Sequence, residues 1–382
     1  MQIIYHIIPR INQSLLLEGL ANMQPSTDLS RLFSSVRQAV VGTNGTEIIF
    51  ANPTSKAEIG FDLTGKAAKD IIPQDILDSD SDNFICATTI MGRKTSISVV
   101  KQGNIMILFL DFIDNGKPAL YVTRHIISNL RNCAMGLKMS ADRCFSLLEG
   151  GNIPNDKYTS VLYHYYYSLV RTLTQIDSAD LLERGEMLFS PAPTDLVKLC
   201  SELCDTVSLL CANSGINVKF STDEDKLIAV VDPSKIEQLL LNLFANSLQH
   251  AGSGNNITLS LLSSGNRIVL SLDDDGEGIP QEILSNIFCL PDDTNQKVLN
   301  YSGNGLGLYV SFGIAQLHNG VLLIESREGI GTRVRVMLPT DENPSPKFNC
   351  PETAYRHNGV STILTELADV LPSNCFGLKY ED

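Results

Sequence analysis

Tryptophan is missing from the 382 residues, and so is any C-x-x-C pair. The first absence decides nothing. The second matters, because the nine cysteines (86, 133, 144, 200, 204, 211, 289, 350 and 375) are odd in number and scattered. Neither a disulfide framework nor a zinc site is expected from that spacing. Unpaired thiols suit a reducing cytosol. Cys200 and Cys204, one helical turn apart in an apolar segment, read as packed thiols. Basic residues are also scarce: 29 Lys and Arg stand against 43 Asp and Glu, for a net charge of −14. That balance excludes a general nucleic-acid binder, which needs a basic stripe, and an anionic membrane surface as the main partner. No apolar run approaches the roughly 18 residues of a membrane span. The first twenty residues are apolar, but they lack the cationic start and clear cleavage site of a leader. The chain therefore reads as cytoplasmic.

What is present is globular: 43% hydrophobic and 19% charged residues. The length allows about two to three domains at roughly 150 residues each. Residues 1–29 form a lead segment without a clear pattern. From residue 30 to 115, apolar runs flank Asn44-Gly45, a strong hairpin signal. Further strands are expected in TSISVV and NIMILFLDF, while DSDSDNF at 78–84 reads as a solvated loop. One small α+β domain fits this order. Residues 117–186 carry apolar residues at three- and four-residue spacing, broken at Gly150-Gly151 and Pro154. Two long antiparallel helices are expected, with Tyr163, Tyr165, Tyr166 and Tyr167 beside His164 in a bundle core. A lone hairpin buries little, so a homodimeric four-helix bundle is the economical arrangement.

From 192 to 340 helices are expected at 194–213, 233–250 and 304–318, with strands at 215–220, 226–231, 256–261, 267–273, 321–326 and 332–338. The tail, 341–382, carries Pro344, Pro346 and Pro351 and then the amphipathic stretch VSTILTELADVL, suited to docking on the preceding domain.

Three elements between 233 and 332 carry chemistry. In IEQLLLNLFANSLQHA, Asn242 and Asn246 are four apart and share a helix face. Two amides there are costly unless paired, and an amide oxygen can ligand a hard cation such as Mg2+. Helix-packing amides are the plainer alternative. In LDDDGEGIP a strand ends at Asp274, and Gly276 and Gly278 follow. A carboxylate at a strand end can accept from an exocyclic amine; an acidic turn is the alternative, and a calcium loop lacks its closing Glu. In GNGLGLYV, Gly303, Gly305, Leu306 and Gly307 lead into a helix, whose N-terminus can cradle phosphate. It matches neither a Rossmann turn nor a P-loop.

In this order and spacing the three elements resemble the ATP-binding domain of sensor histidine kinases, within the wider gyrase and Hsp90 group. The resemblance spans about 192–340 and continues through HNG at 318–320, GIGT at 329–332 and Leu338-Pro339. It implies an α/β sandwich in an α+β multidomain chain, with ATP and Mg2+ as ligands. It also implies Asn246 on magnesium, Asn242 supporting the phosphates, and His250 or Gln249 nearby. Asp274 would hold the adenine amine with Thr332 beside it. Gly276, Gly278, Gly303, Gly305, Leu306 and Gly307 would shape the pocket. Residues 291–302 would form a mobile lid, after Ile287-Phe288 at the family's Phe motif. Gln249 stands where the family often has Lys, which removes a cation from the phosphates. The 30–115 domain resembles a PAS sensor through EIIFANPTSKAEIGFDLTGK, and the 117–186 hairpin takes the place of the dimerisation and phosphotransfer helices.

The phosphoacceptor motif departs from the family. Ser128 stands where the acceptor His is expected and Asn129 where the acidic base is expected. A Ser hydroxyl needs an adjacent base to attack, and Asn cannot be one. His125, three residues earlier on nearly the same face, is a displaced candidate. Three readings follow: a histidine kinase passing a phosphoryl group to a response regulator, a nucleotide-binding regulator without catalysis, and a Ser-directed kinase.

Overall fold

The computed structural model describes residues 33–34, 36, 38–79, 83–112, 124–149, 156–212, 214–252, 254–284, 306–340, 356–357 and 360–376. The lead segment 1–29, Phe288, the expected lid 291–302, Gly303 and Gly305 lie outside them. In chain order come β1 (Ala39–Thr43), β2 (Ile48–Ala51), α1 (Pro53–Ile59), α2 (Gln74–Leu77), β3 (Asn83–Ile90), β4 (Arg93–Gln102) and β5 (Ile105–Phe112). Two long helices follow, α3 (Arg124–Glu149) and α4 (Asp156–Arg184). Then come β6 (Ala192–Asp195), α5 (Leu196–Cys211), β7 (Asn217–Thr222), β8 (Ile228–Val231), α6 (Pro233–His250), β9 (Asn256–Ser264) and β10 (Arg267–Asp274). The series continues through α7 (Leu306–Leu317), β11 (Val321–Arg327), β12 (Gly331–Pro339) and α8 (Thr362–Glu366).

The chain divides into two compact units, one made of Met1–Lys117, Ile279–Phe288 and Val321–Glu328, the other of the remainder. In the first, antiparallel strands run in the order β2-β1-β5-β4-β3-β11. The Asn44-Gly45 signal makes its turn: Asn44 Oδ1 accepts from the backbone N–H groups of Thr46 and Glu47, and Gly45 takes φ +89°. Asn52 caps α1 by accepting from Ser55 N–H at 2.8 Å, and also ties the helix to β1 through Val40 N–H at 2.9 Å. Phe33, Val40, Phe50, Ile107 and Phe109 form the core on one side of the sheet. The acidic stretch read as a loop ends earlier than expected: β3 starts at Asn83, pairs with β4 along its length, and meets β11 at Ala87↔Leu322 and Cys86↔Leu323.

In the second unit β12-β10-β9-β7 form a sheet, antiparallel except for the parallel pair β7 and β9. Both expected strands, β9 and β10, form, and each alternates buried with less buried residues. Ile257, Leu259 and Leu261 of β9 and Ile268, Leu270 and Leu272 of β10 are buried at period two. Helix α5 buries Leu196, Leu199, Cys200, Leu203, Cys204 and Val207, the i, i+3, i+4 stripe of a helix lying on a sheet. Cys200 and Cys204 are thus packed thiols, and burial pushes the Cys204 thiol up to about 12. Asp232 caps α6, accepting from Ser234 and Lys235 N–H, while Pro233 supplies a preset φ at its first position. His318 accepts from Asp232 N–H at 3.0 Å through Nε2, so its Nδ1 donates to Ile314 O at 2.8 Å. Burial lowers its pKa and keeps that neutral tautomer.

Helices α3 and α4 form the expected hairpin. Gly136 is where they touch: an added Cβ would fall on the Tyr165 ring. The Tyr cluster differs from expectation. Tyr167 is buried against Phe376 of the C-terminal segment, with ring centroids 5.6 Å apart, while Tyr166 is exposed. The reason is that one face of α4 is covered by this chain's own elements. Leu182 occupies the space over Gly313 of α7, and Ile363, Leu364, Leu367 and Ala368 of the C-terminal segment are buried. On α3, by contrast, Ile127, Met135, Met139, Phe145 and Leu148 are exposed. No described helix is long and apolar enough to cross a membrane.

Candidate functional site

Helix α6 buries twelve of its eighteen residues, so amides on its inner face must find partners or a ligand. Asn242 is fully buried and accepts at Oδ1 from Gln175 Nε2 of α4 at 3.3 Å. The Nδ2 groups of Asn242 and Asn246 have no partner among the described residues. Gly307, at the start of α7, completes this corner: a Cβ there would stand 3.5 Å from Asn242 Oδ1. Leu306 beside it is fully buried. The corner therefore has spare donors and a bare backbone, which suits a ligand bearing acceptor oxygens.

Asp274 ends β10, in register with Thr332 of β12. Its carboxylate accepts from Ser247 Oγ at 2.9 Å, Gly276 N–H at 3.1 Å and Thr332 N–H at 3.3 Å. Burial nevertheless raises its pKa, outweighing these three donors. Glycine is required around it. A Cβ on Gly276 would lie 2.8 Å from the His250 carbonyl oxygen and 3.0 Å from Asp274 Oδ1. Gly331, at φ +136°, has its α-carbon against the Asp274 carbonyl, where a Cβ cannot fit. Gly278 has φ +68°. His250 closes α6 and its carbonyl accepts from Glu277 N–H at 3.4 Å. Asn242, Asn246, His250, Asp274, Gly276, Gly278, Leu306, Gly307 and Thr332 all belong to the second unit; Gly303 and Gly305 fall outside the described residues.

A cavity of about 410 Å³ adjoins the amide corner. Asn246, Gln249 and Gly307 share its walls with Asn129 of α3 and with His164, Arg171 and Gln175 of α4. Ser128 is exposed on α3 and is not among the lining residues. His125 lies in the same helix, with its side chain outside the described set. Burial lowers the pKa of His164, whose Nδ1 is unpartnered among the described residues. The α4 contribution escapes a reading for apolar periodicity. Its signal is a polar stripe at helical spacing, Ser168, Arg171, Thr172, Gln175 and Ser178, every member buried. No cluster of three or more His, Cys, Asp or Glu suited to a metal occurs among the described residues, so the donor set is one of amides rather than an all-protein metal cage.

Residues 231–342 match the family described as histidine kinase-, DNA gyrase B- and HSP90-like ATPases. Over 175 residues the chain is 29% identical to histidine kinase P4 of Formosa agariphila, covering 45% of this chain and 13% of that one. Over 180 residues it is 32% identical to the adaptive-response sensory kinase SasA of Prochlorococcus marinus, covering 44% and 46%. Among solved structures, the catalytic domain of histidine kinase ThkA aligns at 26% identity and TM-score 0.35, over 40% of this chain and 98% of that one. The chain spans less than half the length of the two curated relatives.

Proposed function

We propose that the chain is a sensor histidine kinase homologue that binds Mg-ATP and moves its γ-phosphoryl group within two-component signalling. The chain is mixed α/β and carries a histidine-kinase-type ATPase domain, and a domain of that type implies ATP as ligand. The observation that carries the reading is Asp274, fixed by three donors beside glycines that no Cβ could replace. Its remaining lone pairs suit the exocyclic amine of adenine. Asn242, Gly307 and His250 or Gln249 would face the phosphates. Asn246 would contribute an amide oxygen to Mg2+, which neutralises charge on the phosphates when bound.

Transfer would then be positioning and charge stabilisation. The imidazole of His125 would take the γ-phosphoryl group as the bond to the β-phosphate oxygen breaks and ADP leaves. A response-regulator Asp would receive the group next. The sensor part is assigned to 30–115 as a PAS-like domain, supported by a sheet with its own aromatic core. A homodimer is favoured by the exposed apolar residues Ile127, Met135, Met139, Phe145 and Leu148 on α3.

A second reading has its own support. Ser128 and Asn129 stand where an acceptor His and its acid would be, which favours a nucleotide-binding regulator without catalysis, or transfer to Ser128. Incubation with γ-labelled ATP separates these. Acid-labile label lost in His125→Ala is the expected result. Acid-stable label lost in Ser128→Ala identifies a Ser-directed kinase, and ATP binding without label identifies the regulator.

A further inference from the structure

Helices α4 and α6 run antiparallel with a fixed register. Ser178 meets Gln238 at 3.2 Å, and Gln175 meets Asn242 at 3.3 Å. One further helical turn is three to four residues, so the next turn sets Arg171 and Thr172 level with Asn246. Arg171 and Asn246 both line the 410 Å³ cavity, together with Gln249 and Gly307. Among the described residues lining it, Arg171 is the one Lys or Arg. Its side chain is only 9% exposed, an unusual place for a guanidinium unless anions meet it there.

Two carboxylates meet it here, both from the C-terminal segment. Asp369 Oδ2 lies 2.5 Å from Arg171 Nη1, and Glu366 Oε2 lies 3.8 Å from Nε. The pairing is incomplete: Arg171 Nε and Glu366 Oε2 make no hydrogen bond among the described residues. Asp369 also lines the cavity and is 40% exposed, so its end of the pair opens to the space that Asn246 and Gly307 border. A planar guanidinium with a donor to spare, beside unpartnered amide donors and a glycine at a helix start, is chemistry for phosphate oxygens.

We propose that Arg171 is a phosphate-binding residue for the nucleotide, and that Asp369 and Glu366 hold its guanidinium while no phosphate is bound. This rests on the ATP reading of the site above. In it, α4 supplies the fixed positive charge that Gln249 cannot, and the C-terminal segment competes with the ligand for that charge. The segment is anchored by Leu367, Leu371 and Phe376, all buried, so the competing carboxylates are held at the site rather than free in solution.

The test is calorimetric titration of the full chain with Mg-ATP and, separately, with adenosine, which lacks phosphates. Arg171→Gln is expected to weaken ATP by about tenfold or more, the scale of a lost charge-assisted contact, while adenosine affinity holds. Asp369→Asn is expected to strengthen ATP several-fold and leave adenosine unchanged. Because Arg171→Gln strands Glu366 in the interior, the double variant Arg171→Gln/Glu366→Gln is measured alongside it, with circular dichroism as the check on folding. ATP affinity within twofold of wild type in the folded double variant overturns the inference and leaves the nucleotide site standing. Equal losses for ATP and adenosine also overturn it, since they mark a structural role. Wild-type chain that binds neither ligand overturns the nucleotide reading itself, and this inference with it.

Discussion

Ser247 donates a 2.9 Å hydrogen bond to Asp274, tying the inner face of α6 to the end of β10. The bond fixes the carboxylate that would select adenine to the residue that follows Asn246 on α6. Removing the hydroxyl leaves Asp274 two backbone donors and a looser rotamer. Ser247→Ala is expected to weaken nucleotide binding by roughly three- to tenfold, the scale of one ordinary net hydrogen bond, with the thermal midpoint little changed. Fluorescent-nucleotide titration measures it.

Gly331 makes a sharper test of the backbone around that carboxylate. Alanine there must leave φ +136° and displace the Asp274 carbonyl. The expected cost is about 1–3 kcal/mol of stability, accompanied by loss of nucleotide affinity. Paired denaturant and binding titrations of Gly331→Ala would register both.

Two buried carboxyls set a pH dependence. Glu237 is raised from 4.5 to about 7 by burial and then by Glu366, and Glu366 to about 7 by burial, partly opposed by Arg171. The folded chain therefore holds more protons than the unfolded one between these values. The stability they contribute is fully present below about 4.5 and falls as pH rises to about 7. Glu237→Gln removes one of the two charges while keeping the shape. It is expected to stabilise the fold at pH 8 by ~1–3 kcal/mol, with little effect at pH 4.5, in urea melts across pH.

The α3 surface predicts association. Met139 is 70% exposed and Phe145 64%, on a helix whose other face already meets α4. Met139→Glu with Phe145→Glu is expected to turn a dimer into a monomer in multi-angle light scattering at micromolar concentration, with helical content retained.

The C-terminal segment also predicts a stability effect. Leu367 is fully buried at the end of α8, the helix that packs on α4 and α6. Leu367→Ala is expected to cost about 2–5 kcal/mol, read as a lower thermal midpoint.

Much of this was legible in the chain because local chemistry and tertiary role agree. Asp232-Pro233 announces the start of α6, alternation in β9 and β10 gives their buried faces, and Asn44-Gly45 gives its turn. Strand β3 was not legible: Cys86 and Ala87 are small, and the acidic run before it looks like solvent-exposed loop. The polar stripe on α4 was missed for a different reason. Ser168, Arg171 and Gln175 look like a solvated helix face until α6 and the C-terminal segment cover them, and those partners lie some seventy and two hundred residues away. The amphipathic tail, expected to dock on the preceding domain, in fact touches α4 as well as α6.

The central claim is a nucleotide site built on Asp274. Its most direct measurement is calorimetric titration of Mg-ATP into wild-type chain and Asp274→Ala, with circular dichroism confirming that both are folded. The account predicts saturable binding in the wild type and none detectable in the variant. Equal affinity in the two would contradict it.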